Sequence, residues 1–386
     1  MRLDRRAFGR LVGVVAAGTA AAGTANGQQQ GGGPGNGGRR RGPDGDGTDG
    51  GRRRGGAGGA IRAETLVSIP GDLTPENLAV GPEGDLYFGI TAGEVRRVDR
   101  ETALTATDLT LDDTDLVATL PAAAGVQSTL GGTLYVAVNA PDTNGVWTIP
   151  PGGDEAVEYV SIPRDGGFVN DIAFDRVDDR LLVTESFDGV VYEVPVGPGG
   201  AALDGVEATE WAAPDSLDTP EFGANGVVRR DDDVVVAVTR AVDDEGADVG
   251  RLVSIPVDDD GGAGDPEVLI ESPAVFGADG IAVGLGVGAD GDDGRPGPGP
   301  GPGASADGAI HVAANARNEV VVVPPVGDPV VVADAGDGLV FPSDVAFGGG
   351  SPGAPGGPGG PGGGPLFVCN FAVTSPEAAG ILRLGP

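Results

Sequence analysis

A six-residue phrase returns along this chain at near-regular intervals, and a chain that repeats itself at such spacing must bury each repeat against its neighbour. The copies are PENLAV at 75–80, VNDIAF at 169–174, ANGVVR at 224–229, ADGIAV at 278–283, PSDVAF at 342–347 and a degraded copy near 124–127. A repeat of roughly 45–65 residues points to a propeller or a solenoid. Each phrase is followed by a turn and an apolar run (85–88, 133–136, 180–183, 233–236, 309–312, 365–368) and then by another (95–98, 146–149, 190–194, 252–255, 320–323, 381–384). These runs are short, rich in Val, Leu and Ile, and bounded by Gly, Asp and Pro, which is how strands and turns are written. A fourth, more polar run precedes each next phrase (115–119, 157–162, 207–211, 267–271, 329–333), but the sixth such run, 63–69, stands before the first phrase. That displacement predicts an all-β, six-bladed β-propeller with four-stranded blades over 62–386, closed by an N-terminal strand that completes the last blade. Ring closure of this kind leaves no sheet edge unpaired.

The two ends differ. Arg5-Arg6 stands before a short apolar stretch, Leu11 to Ala22, and small residues at 23–25. Residues 1–25 therefore read as a twin-arginine export signal, an address for proteins exported already folded, which predicts an extracellular or cell-surface location. The stretch is shorter than the ~20 residues a spanning helix needs, so no stable membrane span is expected in the mature protein. Residues 26–61 are Gly, Arg, Gln, Asp and Pro without apolar periodicity. Such a segment cannot offset its ordering entropy and reads as a disordered linker. Two further low-complexity insertions, 288–305 and 348–364, fall between first and second strands and are expected on the face away from the site.

Charge excludes one partner class and suggests a habitat. The 24 basic residues, all Arg, face 58 acids, for a net charge of −34, and beyond residue 60 the balance is 14 against 54. Such a surface repels nucleic acid. An acid-rich, lysine-free exterior fits a salt-loving host, where molar salt shortens the reach of self-repulsion to about 3 Å. The single histidine, His311, and single cysteine, Cys369, fall in second-strand runs. Intrachain disulfides, Cys/His zinc sites, Ser-His-Asp triads, Cys-His dyads and Ser-Lys dyads all lack their parts. Cys369 reads as a buried, inert thiol.

Aligned phrases put Glu76, Asn170, Asn225, Asp279 and Ser343 at one position, with only a small residue near Ala124 in the second blade. Innermost strands line the axis of a propeller, so two carboxylates and two amides can meet there. Oxygen donors without imidazole or thiolate suit a hard divalent cation, Ca²⁺ first, with Mg²⁺, Mn²⁺ or Zn²⁺ also possible. Asx-Gly pairs are also ordinary turn residues, yet turns have no preference for Glu at position 76. The second strand returns to the same face, which adds Asn139, Glu185, Arg240, Asn315, Arg317 and Asn370 at its exits. Among these Arg240, Asn315, Asn139, Glu185 and Asn370 are candidate substrate contacts.

Pro75-Glu76 followed by Gly84 to Phe88, then Asn170-Asp171, Asn225-Gly226 and Asp279-Gly280 in later blades, resembles the SMP-30/gluconolactonase/LRE family. The spacing is ordered, with 55 residues from Asn170 to Asn225 and 54 from there to Asp279. The resemblance covers about 62–386 and implies that Glu76, Asn225 and Asp279 are metal ligands, that Asn170 lies near metal or substrate, and that Asp279 is the acid/base. Two features depart from the family pattern: Asn77 stands where Gly is usual, and the second blade is degraded. The implied activity is a metal-dependent opening of a sugar lactone or similar ester by an activated water. The alternative is a non-catalytic propeller that binds a ligand or metal outside the cell. Oligomeric state is not legible in the sequence.

Overall fold

The computed structural model describes residues 62–71, 73–141, 143–162, 167–219, 222–243, 245–284, 308–348 and 364–385. The export signal and linker lie outside the described residues, as does the insertion 288–305 and all of 348–364 except its two end glycines. Six sheets stand in a ring, and their inner strands follow the phrases. Those inner strands are Pro75–Val80 (blade 1), Val126–Ser128 (blade 2), Val169–Asp175 (blade 3), Ala224–Arg230 (blade 4), Ala278–Gly284 (blade 5) and Pro342–Phe347 (blade 6). Each is followed outward by the expected antiparallel strands. Blade 6 consists of Pro342–Phe347, Leu366–Asn370 and Gly380–Gly385, and its fourth strand is Arg62–Ser68, paired antiparallel with Ala63 opposite Leu384 and Val67 opposite Ile381. The closing strand is thus where the displaced polar run predicts it.

Two elements go beyond the repeat. A short helix, Arg100–Thr105, follows the third strand of blade 1, started by Asp99, whose side chain accepts from the Thr102 amide at 3.1 Å. The two-residue strand Leu109–Thr110 then pairs in parallel with the closing strand, Val67 opposite Leu109. It covers an edge that would otherwise be open. Among the described residues no helix is long and apolar enough to cross a membrane.

The apolar core is a series of layers between neighbouring blades. Tyr135 and Leu181 pack between blades 2 and 3, Leu182 and Val236 between 3 and 4, and Val235 and Ile310 between 4 and 5. Near the axis the joints are polar instead. In five blades the inner strand slips register within the phrase, between Pro75 and Leu78, Val169 and Ile172, Ala224 and Val227, Ala278 and Ile281, and Pro342 and Asp344. Such a bulge re-aims side chains out of the normal alternation.

The third residue of each phrase then decides how one blade meets the next. Where it is Asn or Asp, its side chain reaches forward to a main-chain amide. Asn77 Oδ1 accepts from Val126, Asp171 Oδ2 from Val227 and Asp344 Oδ2 from Leu78, each at 2.9 Å. Where it is Gly, atoms of the next blade fill the space. A Cβ on Gly125, Gly226 or Gly280 would overlap the Asn170 carbonyl, the Asp279 carbonyl or Asp344, respectively. These glycines are present for close approach.

Candidate active site

The bulged phrases bring Glu76, Asn170, Asn225, Asp279 and Ser343 to a common cavity at one end of the axis, joined by Asn315 and Thr239, with ≈ 410 Å³ of space including its open mouth. All of these except Glu76, which is half-buried, are at most 7% exposed. The amide nitrogen of Asn170 donates to Ser186 Oγ at 3.0 Å and that of Asn225 to Thr239 Oγ1 at 2.9 Å. Each amide is anchored by a hydroxyl of its own blade, which leaves the carbonyl arm as the other face of the group. Asn315 donates to Asp279 Oδ2 at 2.7 Å, and Ser343 Oγ to the Glu76 carbonyl at 2.6 Å.

Electrostatically the floor is unbalanced. Burial pushes the Glu76 carboxyl well above its usual range, and Asp279, Asp344 and Asp171 push it further. Asp279 is pushed up to about 8 by burial, opposed by hydrogen bonds from Asn315 and Asn225. Asp344 is raised well above its ordinary value by burial and by Asp171, and Asp171 is raised to about 6 by burial against the amides of Val227 and Ile172. Four buried carboxyls therefore oppose one another's ionisation, two of them, Glu76 and Asp279, lining the cavity, and among the described residues no arginine lines it. The phrase alignment singles out Glu76 and Asp279 but passes over Asp171 and Asp344.

Among the described residues no three His, Cys, Asp or Glu side chains form a ready metal cage. The convergent set is mixed, two carboxylates and two amides, and its oxygens suit a hard cation. One atom favours that fit directly: Glu76 Oε2 is enclosed and has no hydrogen-bond partner. An orphaned buried carboxylate oxygen is costly unless a cation or proton answers it.

The wall of the cavity is different in kind. Phe168, Phe222, Phe341 and Phe371 line it. Phe168, Phe187 and Phe222 form a triangle with ring centroids 5.4–5.8 Å apart, and Phe341 lies 6.0 Å from Phe371. With Phe276 they make six of the 11 phenylalanines in the chain at this end of the axis. The signal was present in the sequence: Phe168, Phe222, Phe276 and Phe341 each stand two or three residues before a phrase position.

The strand-exit residues serve that wall. Glu185, fully buried, accepts from the amides of Phe168 at 2.7 Å, Phe187 at 3.1 Å and Asp188 at 2.8 Å. Asn370, also fully buried, accepts from the Val340 amide at 2.8 Å and donates to the carbonyls of Gly338 and Ala378. Asn139 accepts from the Val169 amide and donates to the Val169 carbonyl. Arg240 lies over the Phe276 ring at 5.4 Å, and its amide donates to the Phe222 carbonyl at 3.1 Å. None of these four lines the cavity, whereas Asn315 does. Arg317 instead pairs with Glu319 at 2.7 Å. The lone histidine is likewise remote, buried edge-on against Phe347 and held down to about 4 by burial. Cys369 is fully buried and its thiol is pushed up by that burial.

One sequence family matches a part of the chain: strictosidine synthase-like, N-terminal, over residues 60–98, which include Glu76. No match was found among curated protein sequences. The fold is shared with several solved structures. An auxiliary nutrient binding protein from Bacteroides ovatus superposes with a TM-score of 0.57 at 11% identity, covering 85% of this chain and 77% of the other. Regucalcin, a calcium-binding protein from Agrobacterium tumefaciens, gives 0.55 at 16%, covering 84% and 94%. A putative gluconolactonase gives 0.53 at 13%, covering 84% and 92%.

Proposed function

We propose that this propeller is a metal-dependent hydrolase of the SMP-30/gluconolactonase type that opens a lactone or similar ester, with Glu76, Asn170, Asn225 and Asp279 as the residues that hold the ion. The observation that carries the reading is the enclosed, unpartnered Oε2 of Glu76 in the same cavity as Asp279 and the two anchored amides. Bound there, Ca²⁺ or a similar divalent ion supplies Lewis-acid polarisation of the ester carbonyl and lowers the pKa of water. The chain supplies the rest. Asn315 fixes one oxygen of Asp279, which orients the other as a proton acceptor for the attacking water and later a donor to the leaving alkoxide. The hydroxyls of Ser186 and Thr239 lock the amides so that binding requires little reorganisation. The neighbours named as a calcium-binding regucalcin and a putative gluconolactonase agree with this reading at the level of fold.

The test pairs native mass spectrometry for a bound divalent ion with a pH-indicator assay on several lactones, with and without chelator. The expected result is one ion per chain and hydrolysis lost on chelation. Were Asp279→Ala to keep both metal affinity and hydrolysis, the assignment would be wrong. A ligand-binding propeller without turnover is the second reading. It is favoured by the bond from Asn315, which already occupies one Asp279 oxygen, and it predicts a bound ion with no hydrolysis of any ester. We further infer export by the twin-arginine route into a saline exterior. Fusion of residues 1–61 to a reporter, with Arg5 and Arg6 each changed to Lys, should hold the reporter inside the cell.

A further inference from the structure

The cavity has a polar floor and an apolar wall, and the division bears on what it binds. A sugar lactone carries a hydroxyl on nearly every carbon, and each must exchange water for a protein partner on entry or forfeit a hydrogen bond. The polar groups that could serve lie at the floor and are largely engaged with one another: Asn315 with Asp279, Asn225 with Thr239, Asn170 with Ser186 and Ser343 with the Glu76 carbonyl. Higher up, the side chains facing the cavity are phenylalanines, which offer no partner to a hydroxyl. The polar strand exits Glu185, Asn370 and Asn139 are closed to sugar hydroxyls, being tied to main chain at or beside those rings.

A second observation shows that the ring at position 341 is held there against a local cost. Among the described residues the non-glycine positions with left-handed backbone are Asp108, Asp179, Asp231, Asn318, Phe341 and Ala372. Four are Asp or Asn, which tolerate that conformation, whereas a bulky aromatic residue rarely adopts it. Phe341 sits at φ 49°. Its amide is held by Asn318 Oδ1 at 2.7 Å and its carbonyl accepts from Phe371 at 3.2 Å. Strained residues of this sort concentrate at ligand sites, where surrounding bonds over-determine them.

We propose that the substrate presents an apolar body, aryl or alkyl, to the phenylalanine wall and only its ester carbonyl to the polar floor, so that the site selects apolar lactones or esters over polyhydroxylated ones. Phe168, Phe222, Phe341 and Phe371 are the specificity-determining residues. The inference deepens the hydrolase reading and rests on it for turnover. The reaction itself balances as plain hydrolysis: the oxygen of water bonds to the acyl carbon, the acyl–oxygen bond breaks, one proton of water passes to the leaving alkoxide, and the other is released to solvent as the new carboxyl group ionises.

The test uses the exported chain at high salt with Ca²⁺, and compares dihydrocoumarin and δ-decanolactone with glucono-δ-lactone. Apolar lactones should exceed the sugar lactone in kcat/KM by roughly tenfold or more. Phe341→Gly, which relieves the left-handed backbone, and Phe222→Leu, which keeps an apolar side chain, should each lower the dihydrocoumarin-to-gluconolactone ratio several-fold, through KM. A preference for gluconolactone overturns this inference and leaves the hydrolase reading intact. If none of the lactones is hydrolysed, the hydrolase reading fails, and calorimetric titration decides the remainder. Binding of α-tetralone, an uncleavable aryl ketone, with none of gluconate sustains the apolar site, and tighter binding of gluconate, or binding of neither, overturns it.

Discussion

The floor and the wall of the cavity are built by residues only two or three positions apart, such as Phe168 and Asn170 or Phe341 and Ser343, yet each is costly in a different way. The floor stores electrostatic cost: buried carboxyls crowd one another, and among the described residues no arginine lines the cavity. The wall stores steric cost, a phenylalanine on left-handed backbone clamped by Asn318 and Phe371. The contrast teaches that the bulge separates the two roles. Residues inside the bulged phrase turn to the axis and carry charge, while those just before it ride on entry loops and carry rings. Buried charge and backbone strain both concentrate where a site needs them, at the expense of stability.

The comparison can be broken most severely at Asp279. Asp279→Asn should lower kcat/KM by about 10³-fold, because the proton acceptor is lost. The same change should raise the melting temperature of the metal-free protein, since it removes a carboxyl that burial disfavours. A variant that lost activity together with stability would show that the floor is not electrostatically strained.

Next in size is the response to pH. Asp171 and Asp279 are raised in the folded state to about 6 and about 8, so the fold holds protons that the unfolded chain releases near pH 4. Their contribution is therefore fully favourable below pH 4 and is lost as pH rises towards 8. Without metal, the melting temperature should fall by about 5 °C or more between roughly pH 5 and pH 8. Saturating Ca²⁺ should flatten that slope, since it answers the charge that protons otherwise answer. Thermal scans with chelator and with Ca²⁺ check both outcomes.

The wall gives a smaller effect. Phe341→Gly should be more stable than Phe341→Ala by about 1 kcal/mol, because only glycine adopts the left-handed backbone without strain. Denaturant midpoints of the pair read that difference, and equal midpoints would remove the steric half of the contrast. The smallest effect sharpens the distinction between the buried floor and the acid-rich exterior. Raising KCl from about 0.2 M to about 2 M should stabilise the protein at every pH but leave the metal-free pH slope nearly unchanged, because salt screens exposed charges and hardly reaches enclosed ones.

The fold was legible because a propeller repeats its strand grammar once per blade, and the polar run at 63–69 marked the closing strand by being out of order. Glu76, Asn170, Asn225 and Asp279 were legible because alignment of the phrases lays equivalent positions side by side. Asp171 and Asp344 were not, since a third position that is either Asx or Gly looks like turn chemistry until the contacts to Val227 and Leu78 reveal a joint between blades. Polar residues at strand exits look the same in sequence whether they face a ligand or the chain. Glu185 and Asn370 are claimed by the amides of the aromatic loops, a demand that only three-dimensional proximity creates. The helix Arg100–Thr105 lies in a connection without an equivalent in the other repeats, so no other copy could announce it.

The joint between blade 6 and blade 1 has a further consequence. Asp344 reaches the Leu78 amide and Ser343 reaches the Glu76 carbonyl across 266 and 267 residues of chain. Glu76, the first cavity residue along the chain, is thus seated by the sixth blade, and a chain that lacks that blade cannot possess a finished cavity. Contacts so distant in sequence form late and slowly. Maturation of the cavity must therefore follow synthesis of the sixth blade, which makes ring closure the step that completes the cavity.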